Sequence, residues 1–295
     1  MTLIDDLQST VDQVATAVGP SIVRIGRGWG RGSGVVISAG KVLTNAHNLR
    51  GTEVTVTFSS GERSATGTVT GIDADGDLAV VAVDTGEAPA VAWDPAAVDP
   101  RLGTPVFAVA NPAGRGLRVT FGLVSAVGQA FEGPRGQRIG GSIEHTAPLN
   151  RGSSGGPIVD SSGSLLGINT NRVGDGFYLA LPADAALRAR VDALARGESP
   201  SRPRLGVALA PAHAARRLRA AVGLPARDGL LVRGVAEGGP AATAGIGEGD
   251  LLVAAGDRAL VTPDDLFAVL ETAGSSLVVT VVRGVEELSL TVSFA

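Results

Sequence analysis

The chain contains no cysteine, which excludes disulfides, thiol nucleophiles and cysteine-based metal sites together and leaves the redox compartment undetermined. Only His47, His145 and His213 could supply imidazole. They are far apart and lack the H-x-x-x-H spacing of a zinc site, so no metal is expected. Aromatic residues make up 3% of the chain, the net charge is −4, and the arginines are scattered rather than gathered on one stretch. The electrostatic footprint of a nucleic-acid binder is therefore missing, and no nucleic-acid partner is expected. The opening "MTLIDDLQSTVDQVATAVGP" has acids where a signal peptide needs a basic region, and its apolar residues are spaced rather than continuous. It reads as neither signal peptide nor membrane span, which makes the chain a soluble one, cytoplasmic if complete.

What the sequence has in quantity is glycine, 42 of 295 residues, in a composition that is 44% hydrophobic. Its apolar residues are largely Val, Leu and Ala, which favours short strands joined by glycine turns, with enough apolar mass for two or three domains. Residues 1–20 read as a lead-in amphipathic helix. Leu3, Leu7, Val11, Val14 and Val18 recur at helical spacing, Thr2 can cap the start, and Gly19-Pro20 ends the pattern. Residues 21–195 form the main domain. From "SIVRIG" to "FYLALP" about a dozen short Val/Ile/Leu runs follow one another without interleaved helices, which predicts two antiparallel barrels of about six strands each. A helix capped by Asp184, with Leu187, Val191 and Leu194 as its apolar stripe, closes the domain before Gly197. Residues 196–204, "RGESPSRPR", carry no apolar side chain and read as a linker. Residues 205–295 read as a small α+β domain, in which "GPAATAG" is a helical turn and "TPDDLFAVLETA" a helix with a Thr-Pro start. The fold class is thus mainly β, a double six-stranded barrel followed by a smaller α+β module.

Three short stretches carry chemistry. His47 in "KVLTNAHNLRG", taken alone, is as ordinary as any histidine at a strand end. Asp77 in "DADGDLAVVAVD" immediately precedes an apolar run, where a carboxylate is well placed to hold an imidazole in one tautomer. The third is "NRGSSGGPIVD". A nucleophilic serine needs a base within reach, backbone N–H groups aimed at the developing oxyanion, and little bulk around it. With Ser154 as nucleophile, the N–H groups of Gly152 and Ser154 can share one concavity while Gly155 and Gly156 let the backbone pass close to a substrate. With Ser153 instead, the residue two before it is Arg151, less permissive of unusual backbone angles than glycine. The letters also fit G-x-S-x-G, but the hydrolase elbow needs a following helix and a downstream histidine, and here two strands follow and only His213 lies downstream. The order His47, Asp77, Ser154 is that of the double-barrel serine proteases.

"TNAHNL", "DLAVVAV", "NRGSSGGPIVD", "LLGINT" and "FYLALP" together resemble the trypsin-like domain of the HtrA/Deg family of serine proteases, over about Val14 to Leu194, as does "VFAVANPAGRGLRVTFGLVSAVG" between the aspartate and serine motifs. "LGVALA", "GVAEGGPAATAGIGEGDLLVAAGDRAL" and "DDLFAVLE" resemble that family's PDZ domain. The resemblance implies His47 as general base, Asp77 as its orienting partner, Ser154 as nucleophile, and an oxyanion hole from the N–H groups of Gly152 and Ser154. It implies polypeptide substrates, cut through an acyl-enzyme without a cofactor. It implies an S1 pocket with Pro148 at its base and Ile168 and Leu179 nearby, which offers no acid to a basic P1 residue and suits a small or medium aliphatic one. In the PDZ domain, the loop Arg204-Leu205-Gly206-Val207 would capture a peptide C-terminus, with the helix bearing Leu266 as the other wall of the groove. Homo-oligomers are implied too, trimers in the family. Some positions depart from the family pattern. Arg151 and Ser153 stand where Pro and Asn are usual, Thr146 where Asp is common, and the lead-in segment lacks the aromatic residues that often support trimer contacts. The competing reading is a catalytically silent protease-like scaffold or chaperone that captures peptides.

Overall fold

Short runs of branched apolar residues, each cut off by glycine, close on themselves as barrels because closure leaves no unpaired sheet edge. The computed structural model describes residues 2–27, 32–59, 63–112, 116–133, 138–174, 176–199, 203–210 and 212–294. Residues 113–115 of the family-like segment, 200–202 of the linker expectation and the His213 side chain lie outside that description. The chain divides into two compact units, residues 1–200 and 201–295.

The first unit begins with α1 (Leu3–Val18), capped by Thr2 and Asp5 in a reciprocal capping box. Its apolar stripe is only half used. Val14 and Val18 are buried, while Leu3 is 85% exposed, because the helix packs on the barrels through its C-terminal half. Strands β1 (Ile22–Ile25), β2 (Gly32–Ser38), β3 (Lys41–Thr44), β4 (Glu53–Phe58), β5 (Ser64–Asp73) and β6 (Leu78–Ala82) form one closed barrel in the order β1-β2-β3-β6-β5-β4. Strands β7 (Pro105–Ala110), β8 (Arg118–Glu132), β9 (Arg138–His145), β10 (Pro157–Val159), β11 (Leu165–Val173) and β12 (Phe177–Pro182) form the other, in the order β10-β11-β12-β9-β8-β7. This is the double six-stranded barrel expected. Helix α2 (Ala185–Ala195), capped by Asp184, buries Leu187, Val191 and Leu194 in a core shared with Val14, Val18, Leu43, Val80, Val109 and Leu165. One core thus joins both helices to both barrels.

The second unit is a sheet in the order β13 (Val207–Leu209), β14 (Leu230–Val235), β15 (Leu251–Ala255), β17 (Ser276–Arg283), β18 (Glu286–Ser293), with β16 (Arg258–Ala259) paired to β15. Helix α4 (Pro240–Thr243) is the expected helical turn, and α5 (Pro263–Thr272) starts at Thr262 with Asp265 completing a capping box. Helix α3 (Ala212–Ala221) was not anticipated from the sequence. Leu205, Val232, Leu252, Leu266, Leu270 and Val281 are among the residues of this unit's core. Among the described residues no helix is long and apolar enough to cross a membrane.

Candidate active site

His47 lies in a single 3₁₀ turn, Ala46–Asn48, just after β3, and Asp77 in the turn that opens β6. The imidazole Nδ1 is 2.8 Å from Asp77 Oδ2 and 3.0 Å from Oδ1, and the His47 backbone N–H donates to Oδ1 at 3.1 Å. A carboxylate facing Nδ1 assigns the hydrogen to Nδ1 and leaves Nε2 as a lone pair, the tautomer a general base needs. Thr170, on β11, donates its hydroxyl to Asp77 Oδ2 at 2.6 Å. The carboxylate is 2% exposed and its oxygens are occupied by these donors. Asp77 has φ 53°, and among the described residues it is the one non-glycine residue with positive φ. Such a conformation is strained for most side chains and persists only when its surroundings enforce it. Here Asn45 Nδ2 donates to the Asp77 carbonyl at 2.9 Å. Asp73, which accepts the Gly76 N–H at 2.7 Å and lies 3.5 Å from the Arg190 guanidinium, holds the rest of the turn.

Ser154 belongs to the other barrel, in the turn before β10. Its hydroxyl donates to the Thr170 carbonyl at 3.1 Å, so the residue that braces Asp77 also touches the serine. The first barrel clamps the loop from the opposite side. The Ser154 carbonyl accepts from Ser33 N–H at 2.8 Å and from Asn48 Nδ2 at 3.0 Å, and Ser33 Oγ donates to the Gly152 carbonyl at 2.8 Å. Ser153 is buried beneath the loop rather than presented. Its N–H donates to the Asn150 carbonyl at 3.1 Å, with Gly152 at φ 91°, the positive angle that a type II turn demands at its third residue. Among the described residues the Gly152 and Ser154 N–H groups have no acceptor. The sequence does not single out Ser33, Asn48 or Thr170, although the last two lie within "TNAHNL" and "LLGINT", because their contacts with the site span 119, 106 and 93 positions.

Gly155 makes the loop's tightest approach. It has φ 87°, and a Cβ there would lie 2.2 Å from the Ser33 carbonyl oxygen and 2.6 Å from Thr44 Oγ1. Gly155→Ala is therefore expected to force the two barrels apart locally. Turnover should fall by at least ~100-fold, as misplacement of about 1 Å does elsewhere, and the urea midpoint should also drop. Activity and denaturation curves of the variant check both.

The expected S1 residues are not brought to one surface. Pro148 is exposed, whereas Ile168 is fully buried in the core beside Leu165 and Leu181. Leu179 is 2% exposed on β12. Ile168 packs inward, while on the same strand the Asn169 amide faces the Gly156 and Pro157 carbonyls and the Thr170 carbonyl faces the Ser154 hydroxyl.

In the second unit Leu205 and Leu266 are likewise core residues, 2% and 4% exposed. Gly206 has φ 76°, and the Leu205 and Gly206 carbonyls accept from Ala241 and Ala236 N–H at 2.8 Å each. Both carbonyls are thereby turned into the domain. Arg204 precedes this turn and Val207 begins β13, the terminal strand of the sheet. Half-buried Val207, Leu209 and, on α5, Val269 pack against the core.

A second histidine lies close by. His145 is completely buried, and burial pushes its imidazole down to about 4, against smaller upward effects of the Asn169 hydrogen bond and the Glu144 charge. Asn169 and Tyr178 face the ring directly, and Glu144 adjoins it in the chain. The folded value is below the unfolded one, so the neutral form is what the fold accommodates. The associated stability is complete above the unfolded value near 6.5 and is lost as pH falls toward 4. A shift of this size amounts to about 3 kcal/mol. Urea denaturation at pH 7 and pH 4.5 should show a smaller loss for His145→Gln than for the unaltered protein.

Set beside known proteins, residues 32–168 match the model of a trypsin-like peptidase domain and residues 231–283 that of a PDZ domain. HhoA of Synechocystis is 36% identical over 281 residues, covering 90% of this chain and 71% of the relative. Serine endoprotease DegS of Escherichia coli is 30% identical over 279 residues, covering 89% and 76%. Serine protease PepD of Mycobacterium tuberculosis is 31% identical over 300 residues, 60% of its length. Among solved structures, the serine endoprotease from Yersinia pestis superposes with a TM-score of 0.68 at 25% identity, over 96% of each chain. The HtrA-type protease AlgW with tripeptide does so with 0.63 at 27%, over 96% of each.

Proposed function

The chain belongs to the HtrA/Deg family of serine endopeptidases with a PDZ domain, and from that premise we propose that it cleaves polypeptides with Ser154 as nucleophile, His47 as general base and Asp77 as the group that orients His47. The observation that carries this assignment is the His47 Nδ1 contact to the buried Asp77 carboxylate, with Thr170 bridging that carboxylate and the Ser154 hydroxyl. The Ser154 hydroxyl swings from the Thr170 carbonyl toward His47 Nε2, gives up its proton and attacks the substrate carbonyl carbon. The unengaged N–H groups of Gly152 and Ser154 receive the negative charge that develops on oxygen. His47 passes the proton to the leaving amine, and water takes the same route to release the acyl group. Asp77, held by the donors around it, orients His47 and stabilises the imidazolium of each step.

The open edge of β13 supports a second role. An extended peptide adds there as a further strand, with its carboxylate on the N–H groups of the Arg204–Val207 turn and its side chains against Val207, Leu209 and Val269. The substrates are unfolded chains, since the serine loop needs an accessible peptide bond and, separately, strand addition at β13 needs an extended backbone. The family assignment favours the endopeptidase over a silent scaffold. Incubation with denatured casein should yield new N-termini following small or medium aliphatic residues. Binding of a hydrophobic C-terminal peptide, followed by anisotropy, should weaken by ~10-fold or more when its carboxylate is amidated, as expected for loss of charge-assisted bonds. Equal affinity of both peptides would argue against the carboxylate turn.

A further inference from the structure

His145 ends β9 with its ring 5.9 Å from that of Tyr178 and nearly parallel to it, at 28°. Its Nε2 is 2.9 Å from Asn169 Oδ1. The orientation of that amide follows from its surroundings. Asn169 Nδ2 faces two carbonyls, Gly156 at 3.0 Å and Pro157 at 3.3 Å, so the nitrogen must be the group on that side. Oδ1 is then the acceptor for His145, and the imidazole carries its hydrogen on Nε2. His145 Nδ1, buried without a partner among the described residues, is left as a bare lone pair. Backbone bonds complete the junction. Gly155 N–H donates to the Asn169 carbonyl at 2.7 Å, and Asn169 N–H to the Gly156 carbonyl at 2.9 Å. Gly155 and Gly156 follow Ser154 directly, and Thr170, which follows Asn169, accepts the Ser154 hydroxyl and braces Asp77.

We propose that His145 is a positioning residue for peptide hydrolysis, acting through Asn169 on the Gly155–Pro157 backbone that presents Ser154. The inference rests on Ser154 being the nucleophile. Its physical basis is that an asparagine amide can be satisfied in only one of two orientations here. With the His145 donor present, Oδ1 is paired and Nδ2 points at the two carbonyls. Without it, Oδ1 is a buried unpaired acceptor. The amide can then turn over, but Oδ1 would face the Gly156 and Pro157 carbonyl oxygens, which repel it and move away, carrying the serine loop with them. The histidine donor is what prevents such a shift.

The test is a single-turnover measurement of acylation on the full chain, with stoichiometric fluorophosphonate labelling and peptide mapping as a separate check on Ser154. His145→Leu removes the donor. His145→Gln keeps an N–H that reaches Asn169 Oδ1. The leucine variant should acylate ~10- to 100-fold more slowly, the size expected for one buried unpaired acceptor, with KM unchanged, and the glutamine variant should recover to near the original rate. Acylation at the original rate in His145→Leu, or a glutamine variant as slow as the leucine one, would overturn the proposal. Should the leucine variant not fold, the unaltered protein decides. In ¹⁵N-histidine spectra the His145 resonances should shift when Ser154 is phosphonylated, and unchanged resonances overturn the coupling. Absence of any label on Ser154 would instead overturn the nucleophile assignment.

Discussion

Ser154→Ala should remove peptide-bond turnover almost entirely, a loss on the order of 10⁴- to 10⁶-fold in kcat, while hydrophobic C-terminal peptides bind the second unit as before. The size follows from the way such a constellation works. His47 has nothing to deprotonate once the hydroxyl is gone, and Asp77 then orients a base without a task, so the three side chains act as one unit. Adding His47→Ala to Ser154→Ala should therefore cost little more than Ser154→Ala alone. The fold should tolerate the change, because the loop is held by backbone and neighbouring groups. The Ser154 carbonyl bonds to Ser33 and Asn48 and the Gly155 N–H bond to Asn169 do not involve the Ser154 side chain. Initial rates on denatured casein and peptide anisotropy measure the two halves of the prediction.

Asp77→Asn carries the next largest effect, a fall in kcat of roughly 10⁴-fold. The asparagine amide would present an N–H or an uncharged oxygen to His47 Nδ1. In the first case the imidazole hydrogen moves to Nε2 and the base is lost. In the second the imidazolium that forms during attack is no longer stabilised by a buried negative charge. Thr170 Oγ1, which donates at 2.6 Å to the oxygen nearest the imidazole, favours the second case, whereas the His47 backbone N–H, which donates to Asp77 Oδ1 at 3.1 Å, favours the first. The substitution suits the question because asparagine tolerates the left-handed backbone angle that residue 77 adopts, φ 53°. A leucine there would confound backbone strain with chemistry. Urea midpoints close to that of the unaltered protein, together with the collapsed kcat, would separate the catalytic effect from a folding one.

The parts of this molecule that the sequence made legible are those that depend on local chemistry. Alternation of apolar residues and glycine marks the barrel strands, Thr2, Asp184 and Thr262 mark helix starts, and a glycine-flanked serine after a histidine and an aspartate marks the site. Helix α3 escaped because "AHAARRLRAA" has a single large apolar residue, Leu218, which is 40% exposed, so no hydrophobic period announces it. The lead-in helix was legible but its stripe was not. Leu3 and Val18 look alike in sequence, and only packing against the barrels distinguishes them. The family resemblance puts Ile168 near the S1 pocket, and in the fold its side chain lies in the core while that of Asn169 faces the serine loop. Ser33, Asn48, Thr170 and His145 act through contacts between segments remote in the chain, which no local pattern encodes.

The measurement that bears most directly on the whole account is fluorophosphonate labelling of the full chain, with and without a hydrophobic C-terminal peptide, followed by mapping of the modified residue. The account predicts one modification per chain, on Ser154, lost when His47 is replaced by alanine. Modification of Ser153 instead, or no modification under either condition, would contradict it.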